Sequence, residues 1–298
     1  MALPSYTTSG QRLFYYFYLF FCGTVFFFLI APLVAIIPIS FSVSPFMIFT
    51  EGMLAFPPDP EAWSLRWYRN MIGDCSAEVV SSTVPCSTKW MKGTVNSFYI
   101  GIIATFIATV LGTMAALGLS RPHMPYKALI MSILISPMIV PLIITAAGMF
   151  FFYAKINLVY TFTGIILAHI ALSTPFVVIT VTATLVGFDM NMVRASQSLG
   201  ARPIRTFFKV IMPLILPGVI SGALFAFITS FDEVVIVMFM ASLDQLTIPK
   251  QMWAGIRQEI SPVILCMATC LVALSIFLLT TVELLRRRSE KMRGISRQ

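Results

Sequence analysis

The chain has 298 residues, of which 58% are hydrophobic and only 11% are charged, and its mean hydropathy is +0.90. About a quarter of the residues of a soluble domain are charged. This composition therefore excludes an ordinary soluble domain and predicts a protein embedded in a lipid bilayer. The net charge of +8 does not indicate nucleic-acid binding, because no basic stripe with interleaved aromatic residues lies outside the apolar segments.

Six apolar stretches are each long enough to cross a bilayer, which takes about 20 residues. They cover about 13–41, 94–119, 128–152, 163–187, 214–241 and 261–285. The first stretch is too long for the core of a signal peptide and is typical of an uncleaved anchor. We therefore predict an all-α membrane protein whose six transmembrane helices form a single transmembrane domain over residues 1–298.

The distribution of lysine and arginine predicts how these six helices are oriented. An even number of spans places both termini on one side of the membrane, and thirteen of the twenty basic residues fall on that side. Basic residues are retained in the cytoplasm, so we expect both termini to be cytoplasmic. Residues 42–93 then form the longest periplasmic loop, and residues 188–213 form a cytoplasmic loop.

Two cysteines, Cys75 and Cys86, lie eleven positions apart in the predicted periplasmic loop. Because that side of the membrane is oxidising, this pair is compatible with a disulfide bond, and two free cysteines in an exposed loop are the alternative. The two histidines, His123 and His169, are far apart in sequence, and no cluster has the spacing of metal ligands. We therefore expect neither a metal site nor a cofactor.

The motifs that carry common catalytic chemistry are absent from the sequence. It contains no G-x-x-x-x-G-K-[ST] loop, no H-E-x-x-H pair and no G-x-S-x-G elbow. We therefore predict that the chain is not an enzyme and that any ATP hydrolysis coupled to it takes place in a partner protein.

The longest polar interruption in the second half of the chain runs from Asp189 to Gly218. Its pattern predicts two short amphipathic helices. Their apolar positions are Met192, Ala195 and Leu199 in the first helix and Ile204, Phe207, Phe208 and Ile211 in the second. Gly200 stands where a helix often ends in a left-handed residue, and Pro203 is suited to the first position of the next helix.

This segment resembles the cytoplasmic loop shared by permease subunits of ATP-binding-cassette (ABC) importers. The family pattern is Glu-Ala-Ala, three residues, Gly, and about nine residues before Ile-x-Leu-Pro; the matching residues here are Arg194-Ala195-Ser196, Gly200 and Ile211-Met212-Pro213. The resemblance implies that the loop is a coupling helix seated in a cleft of an ATPase subunit. The residues that it assigns to coupling are Asn191, Arg194, Ala195, Ser196, Ser198, Leu199, Gly200, Ala201 and Arg205. Because Arg194 stands where the family carries Glu, the charge at this position is reversed.

Three further segments resemble the spermidine/putrescine branch of these permeases. They are Ser64–Asn70, Ser230–Val235 and Gln251–Arg257. The resemblance implies the type I ABC importer permease fold in a bacterial inner membrane. It also implies two copies of an ATPase subunit, a second, unlike permease subunit and a periplasmic substrate-binding protein as partners.

Asp232 and Glu233 lie inside an otherwise apolar run of the fifth predicted span. A carboxylate in the middle of a membrane costs a few kcal/mol, so such residues usually face a cavity or a partner. One interpretation is that at least one of them lines the substrate pathway and accepts hydrogen bonds from an amine. The alternative is that the pair is structural and lies against the partner permease.

The sequence therefore predicts the permease subunit of a binding-protein-dependent ABC importer that moves a small cationic solute, with a polyamine as the first candidate. A second interpretation keeps this architecture and changes the cargo to an opine, an aminophosphonate or an amino acid. An alternative of another class is a stand-alone channel or secondary transporter, which would need broken helices or an internal repeat of the spans.

Overall fold

The computed structural model describes residues 7–57, 59–74, 88–121, 123–258 and 261–292, and these residues are almost entirely helical. Cys75 and Cys86 lie outside the described residues. The α-helices are α1 (Ser9–Ser40), α2 (Glu51–Leu54), α3 (Arg66–Met71), α4 (Lys89–Leu119), α5 (Lys127–Ile139), α6 (Leu142–Lys155), α7 (Phe162–Val186), α8 (Asn191–Ser198), α9 (Pro203–Thr206), α10 (Met212–Phe231), α11 (Val235–Met240), α12 (Ile248–Gln258) and α13 (Val263–Met292). A π-helical turn over Phe207–Ile211 joins α9 to α10.

Among the described residues, five helical segments are long and apolar enough to cross a membrane. They are α1, α4, α7, the continuous Pro203–Phe231 segment and the Val263–Thr281 part of α13. The pair α5 and α6 passes the same test jointly and gives a sixth span if it is counted as one. The prediction of an all-α membrane protein is therefore confirmed.

The third predicted span is not the straight helix that the apolar run 128–152 suggested. Helices α5 and α6 meet at an angle of 101°. Val140 is extended at the break, with φ −70° and ψ 134°, and Pro141 precedes the first residue of α6. The ring of a proline disfavours helical backbone in the residue before it, which explains the position of the break.

The chain clusters into two compact units, one formed by Met1–Ser87 with Gln258–Ile276 and the other by Thr88–Arg257 with Phe277–Gln298. In the first unit, the indole Nε1 of buried Trp67 donates to the carbonyl oxygen of Ser42 over 2.7 Å. The hydroxyls of Ser40 and Tyr68 lie 2.7 Å apart, and the Cys266 thiol donates to the Ser40 carbonyl oxygen. These bonds tie α3 and the start of α13 to the end of α1.

The core of the second unit is the three-helix packing of α4, α7 and α10. Small residues allow this close approach: a Cβ built on Gly112 of α4 would lie 2.7 Å from the Cβ of Val177 on α7. Gly218 and Gly222 of α10 face Thr184 and Thr180 of α7 in the same way. Small residues at helix contacts are typical of membrane bundles, where dispersion forces rather than exclusion of water hold the helices together.

Helix α11 packs against the N-terminal half of α7. Buried Ile236, Val237 and Met240 of α11 form one cluster with Ile165 and Leu172 of α7. This packing fixes a short helix directly after the end of α10, and the two predicted pathway carboxylates lie in the connection between them.

Candidate functional sites

The acidic pair lies at a helix break rather than within a helix. Helix α10 ends at Phe231, α11 begins at Val235, and Asp232 and Glu233 lie between them. The backbone N–H of Asp232 still bonds to the carbonyl oxygen of Ile228 over 3.0 Å, which completes the last turn of α10. The expectation of one continuous helix through 214–241 is therefore wrong at this point.

Glu233 is engaged by the helix that follows it. Its side chain is buried, and its Oε1 accepts a hydrogen bond of 2.8 Å from the backbone N–H of Ile236. A carboxylate at the first turn of a helix satisfies a donor that has no partner within the helix and interacts favourably with the helix dipole. This contact explains why α11 begins here.

Asp232 differs from its neighbour because its side chain is exposed. Within the part of the chain that the structure describes, it forms no ion pair; the salt bridge found there joins Arg69 to Asp74. The structure thus distinguishes two carboxylates that are adjacent in sequence: one completes a helix terminus, and the other is free to meet a ligand or a partner.

The last turns of α10 are held to α7 by two buried polar contacts. His169 Nδ1 lies 2.8 Å from the hydroxyl oxygen of Ser230, and the Ser173 hydroxyl donates to the carbonyl oxygen of Ala226 over 3.1 Å. His169, Ser173 and Ser230 are all buried. His169 therefore forms a polar contact between α7 and α10, and its partner is Ser230.

Lys250 of α12 contacts the end of α11. Its Nζ donates to the carbonyl oxygens of Val237 and Ala241 over 3.1 and 3.2 Å. The Val237 carbonyl lies in the last turn of α11 and also accepts the backbone N–H of Ala241 over 3.0 Å, whereas the Ala241 carbonyl follows the helix end, where acceptors lack a partner within the helix. Because the side chain is half-buried, desolvation lowers the pKa of Lys250 below its ordinary value.

The predicted coupling segment forms two short helices joined at a glycine. Gly200 has φ +79°, so the left-handed conformation predicted for it is confirmed. The N–H of Ala201 bonds to the carbonyl oxygen of Ser196, and that of Gly200 bonds to Gln197. This pair of bonds is the Schellman arrangement that closes a helix. Pro203 begins α9, as predicted.

A side-chain contact fastens the two helices of this segment together. The hydroxyl oxygens of Ser196 on α8 and Thr206 on α9 lie 2.9 Å apart, and Thr206 is buried. At the start of α8, the carboxylate of Asp189 accepts a hydrogen bond from the backbone N–H of Asn191. These contacts and the Gly200 turn give the segment a defined shape.

The surface of the coupling segment is both apolar and basic. Leu199 is 87% exposed and Ile204 is 74% exposed, although both are large aliphatic residues. Arg194, Arg202 and Arg205 are exposed as well. Exposed aliphatic side chains rimmed by charged residues are typical of a protein-binding surface.

The second helix of the predicted coupling segment departs from the predicted helical spacing. After α9 the backbone is π-helical, and the N–H of Met212 bonds to the carbonyl oxygen of Phe207, five residues earlier. Ile204 and Phe208 are exposed, whereas Phe207 and Ile211 are partly buried. The four apolar residues therefore differ in exposure and do not form one uniformly buried face.

No three His, Cys, Asp or Glu side chains come together as a metal site within the ranges that the structure describes.

Comparisons with known proteins match this architecture. The family described as "Binding-protein-dependent transport system inner membrane component" matches residues 108–291. The spermidine/putrescine permease protein PotC of Escherichia coli strain K12 is 25% identical over 271 residues, which cover 91% of this chain and 94% of that protein. The putrescine permease protein PotI of the same strain is 27% identical over 249 residues, covering 81% and 80%. PotC of Haemophilus influenzae is 28% identical over 199 residues, covering 67% and 77%.

A solved structure of similar fold is a bacterial ABC transporter involved in the import of the acidic polysaccharide alginate. The TM-score is 0.68 at 14% sequence identity, and the alignment covers 96% of this chain and 99% of that one. In the matched family, ATP hydrolysis takes place in a separate subunit, and import also requires a second permease and a substrate-binding protein. Because the family match spans more than half of its length, this chain belongs to the inner-membrane components of binding-protein-dependent transport systems, and it is a multi-pass permease subunit of an ABC importer.

Proposed function

We propose that this permease subunit imports a small organic cation of the polyamine class, such as spermidine or putrescine. The observation that carries the proposal is the exposed carboxylate of Asp232 at the end of α10, beside the engaged carboxylate of Glu233. The names of the relatives support the same substrate class, since PotC and PotI are permeases for spermidine and putrescine.

The chemistry of Asp232 suits a substrate that carries ammonium groups. An ionised carboxylate accepts charge-assisted hydrogen bonds from an amine, and these are about twice as strong as bonds between neutral groups. A carboxylate near the membrane interior is retained only where it faces water, a partner or a ligand. Glu233 already has a partner in the N–H of Ile236. We therefore assign the substrate pathway to Asp232 and a structural role to Glu233.

The segment formed by α8 and α9 is proposed to dock onto an ATPase subunit. Its exposed Leu199 and Ile204 supply apolar area, and its arginines supply a basic rim. With two ATPase copies bound to two unlike permeases, closure on ATP would move this segment and rotate the permeases between inward-open and outward-open states. This arrangement requires the segment and both termini to be cytoplasmic.

On the opposite side, we propose that a periplasmic binding protein delivers the substrate. Its docking surface would be formed by the outer segments 42–93, 153–162 and 242–260. Leu243 is 86% exposed and Trp253 is 45% exposed in the last of these segments, which gives the surface apolar contacts.

Reconstitution of the complete complex tests this proposal. The chain would be co-expressed with its second permease and ATPase, placed in proteoliposomes and supplied with its binding protein, and uptake of labelled putrescine and spermidine would be followed with and without ATP. We expect ATP-dependent uptake of amines that Asp232→Asn greatly reduces and Asp232→Glu largely retains, with both variants assembling normally.

Other outcomes would contradict specific parts of the proposal. ATP-dependent uptake of an opine, an aminophosphonate or an amino acid in place of an amine would show that the substrate class is wrong. Amine uptake that is unchanged in Asp232→Asn would remove Asp232 from the pathway. Flux through the purified chain without an ATPase would indicate a stand-alone channel or secondary transporter.

A further inference from the structure

An open groove of about 410 Å³ runs between α4 and α10, and we call it the α4–α10 groove. Its walls include Thr105, Phe106 and Thr109 of α4 and Ile220, Leu224 and Phe227 of α10. The walls are apolar apart from the two threonines. A groove of this composition favours an occupant with an aliphatic chain, provided that the chain's polar groups are satisfied elsewhere.

Three phenylalanine rings form a cluster at one end of this groove. The ring centroid of Phe231 lies 5.2 Å from that of Phe98, in a T-shaped contact, and 5.2 Å from that of Phe227, in a stacked contact. Phe98 and Phe227 are 6.4 Å apart. Because Phe227 belongs to both the groove wall and the cluster, the two features are continuous.

Asp232 stands at the same end as the rings. Residues four positions apart share a face of a helix, so Phe231 continues the row of Phe227. By the same spacing, Asp232 continues the row that runs from Leu224 through Ile228. The exposed carboxylate therefore follows one wall of the groove, next to the aromatic cluster.

The threonines of the groove add acceptors that the fold does not use. The hydroxyls of Thr105 and Thr109 are buried without a hydrogen-bond partner among the described residues. By contrast, the hydroxyl of Thr94 on the same helix donates to the carbonyl oxygen of Trp90. Because neighbouring atoms cover both hydroxyl oxygens, each threonine side chain must rotate before its hydroxyl can accept a hydrogen bond from an amine in the groove.

From this juxtaposition we propose that the aromatic cluster and the α4–α10 groove bind the transported cation. One ammonium group lies beside the aromatic cluster of Phe98, Phe227 and Phe231 and close to Asp232, while the alkyl chain extends along the groove past Thr105 and Thr109. The twelve residues from Phe98 to Thr109 span about 16 Å of helix, which accommodates an extended diamine or triamine. This inference rests on the proposed function and adds the residues that recognise the solute.

The energetics fit a site that must release its ligand. A cation over an aromatic face gains about 0.5–1 kcal/mol where water has access and about 2 kcal/mol where it does not. The methylene groups of the solute gain about 0.8 kcal/mol each when they are fully buried. Phenylalanine offers a weaker cation site than tryptophan, so the groove provides several modest contacts rather than one strong trap.

Graded fluorination of the rings tests the proposal directly. In the reconstituted complex, supplied with saturating loaded binding protein and labelled putrescine, Phe227 or Phe231 would be replaced by mono-, di- and trifluorinated phenylalanine. Fluorine weakens the negative face of the ring and changes its shape little. We expect the rate of uptake to fall stepwise by about two- to fivefold in total, and Phe231→Leu to fall at least as far.

Phe225 supplies the matched control. It lies on α10 outside the groove, is 48% exposed and stacks on Phe176 at 6.5 Å. The same fluorinated series at Phe225 should leave uptake unchanged. Thr109→Val should lower the rate, whereas Thr94→Val should not, because the Thr94 hydroxyl is already bonded within its own helix.

The outcomes separate this inference from the function on which it rests. Amine uptake by the wild-type complex that is insensitive to fluorination at Phe227 and Phe231 would overturn the groove and leave the proposed function intact. Absence of amine uptake by the wild-type complex would reject the proposed function itself. If the variants no longer copurify with the second permease, the groove is a subunit interface and the inference is wrong.

Discussion

The imidazole Nδ1 of His169 and the hydroxyl oxygen of Ser230 lie 2.8 Å apart inside the bundle. Ser230 precedes Asp232 by two residues. This bond therefore holds the end of α10 against α7 next to the exposed carboxylate of Asp232. The neighbouring bond from Ser173 to the carbonyl oxygen of Ala226 acts one turn earlier. The position of Asp232 therefore depends on contacts with α7 as well as on α10 itself.

A double-mutant cycle on His169 and Ser230 should detect this bond. Ser230→Ala and His169→Phe each leave a buried polar group without its partner, and the double variant removes both. We expect a coupling free energy of about 0.6 kcal/mol and no more than about 1.7 kcal/mol, the average and the maximum found for hydrogen bonds between membrane helices. Thermal or denaturant unfolding of the detergent-purified complex would measure it.

Thr229 provides the control for this cycle. Its hydroxyl donates to the carbonyl oxygen of Phe225 within α10 over 2.8 Å, rather than to a group on α7. Thr229→Ala combined with His169→Phe should therefore give additive changes in the free energy of unfolding. Equal coupling for the Thr229 and Ser230 pairs would show that the His169 effect arises from packing alone.

Substitution of Gly200 should uncouple ATP hydrolysis from transport. Its φ of +79° strains any residue with a Cβ, at a cost of about 1–2 kcal/mol that is greatest for β-branched side chains. Gly200→Val should reduce uptake while the ATPase subunits continue to hydrolyse ATP, whereas Gly200→Asn should retain much of the uptake, because asparagine tolerates the left-handed conformation.

The matched control is Gly187, which ends α7 with φ −87° and has open space where a Cβ would lie. Gly187→Val should preserve the ratio of solute imported to ATP hydrolysed. A normal ratio in Gly200→Val would mean that the turn between α8 and α9 does not transmit the motion of the ATPase.

The coupling segment is the part of the structure that local sequence patterns predict well. A glycine at a helix end and a proline at a helix start act through their own backbone geometry, so Gly200 and Pro203 define the turn without help from the rest of the fold. The bond between Ser196 and Thr206 was not predictable in the same way. It depends on the exact rotation of α9, which continues into a π-helical turn.

The two helix breaks show what hydropathy cannot predict. An apolar run over 128–152 has the composition of one span, and the bend before α6 becomes visible only through Pro141 and the extended backbone of Val140. At Asp232 and Glu233 there is no glycine or proline to signal a break. The signal is the carboxylate pair itself. Glu233 accepts a hydrogen bond from the backbone N–H of Ile236, which in a continuous helix would bond to a carbonyl oxygen of the same helix.

The aromatic cluster was missed for a related reason. Phe98 and Phe231 are far apart in the sequence, and each lies among many other phenylalanines in apolar runs. Only the antiparallel packing of α4 and α10 brings their rings to 5.2 Å. A pattern of phenylalanines four residues apart, such as Phe227 and Phe231 before Asp232, is the one sequence feature that could have indicated the site.

Lys250→Met should lower stability and alter its dependence on pH. The substitution leaves the carbonyl oxygens of Val237 and Ala241 without their charged donor, which we expect to cost about 1–3 kcal/mol. Because burial lowers the pKa of Lys250, the unfolded chain binds this proton up to a higher pH than the folded protein. Between the lowered pKa and the ordinary value of 10.5, the contribution of Lys250 to the free energy of unfolding of the wild-type protein should therefore increase with pH.

Unfolding of the purified complex across that alkaline range would measure both effects. The rise attributable to Lys250 is the difference between the wild-type and Lys250→Met curves. A constant difference between the two curves would show that Lys250 titrates alike in the folded and unfolded states, and equal stabilities would show that its two hydrogen bonds do not stabilise α11.

Leu199→Ala and Ile204→Ala should each weaken binding of the ATPase without destabilising the permease. Both side chains are exposed, so their truncation removes little packing within the chain. Burial of one such side chain at an interface contributes about 1.5–3 kcal/mol, and loss of part of it should reduce affinity for the ATPase by about tenfold. Titration of the ATPase subunit against the detergent-solubilised permease pair would measure the change.

Leu129→Ala makes the same chemical change at a leucine on α5 that is 59% exposed and lies outside the coupling segment. It should leave the affinity for the ATPase unchanged, because its apolar surface is expected to face lipid or the second permease. If Leu129→Ala and Leu199→Ala behave alike, the exposed aliphatic residues of α8 and α9 do not form the ATPase contact. A selective loss at Leu199 and Ile204 would place that contact at the Gly200 turn, where Ser196 and Thr206 hold the two helices together.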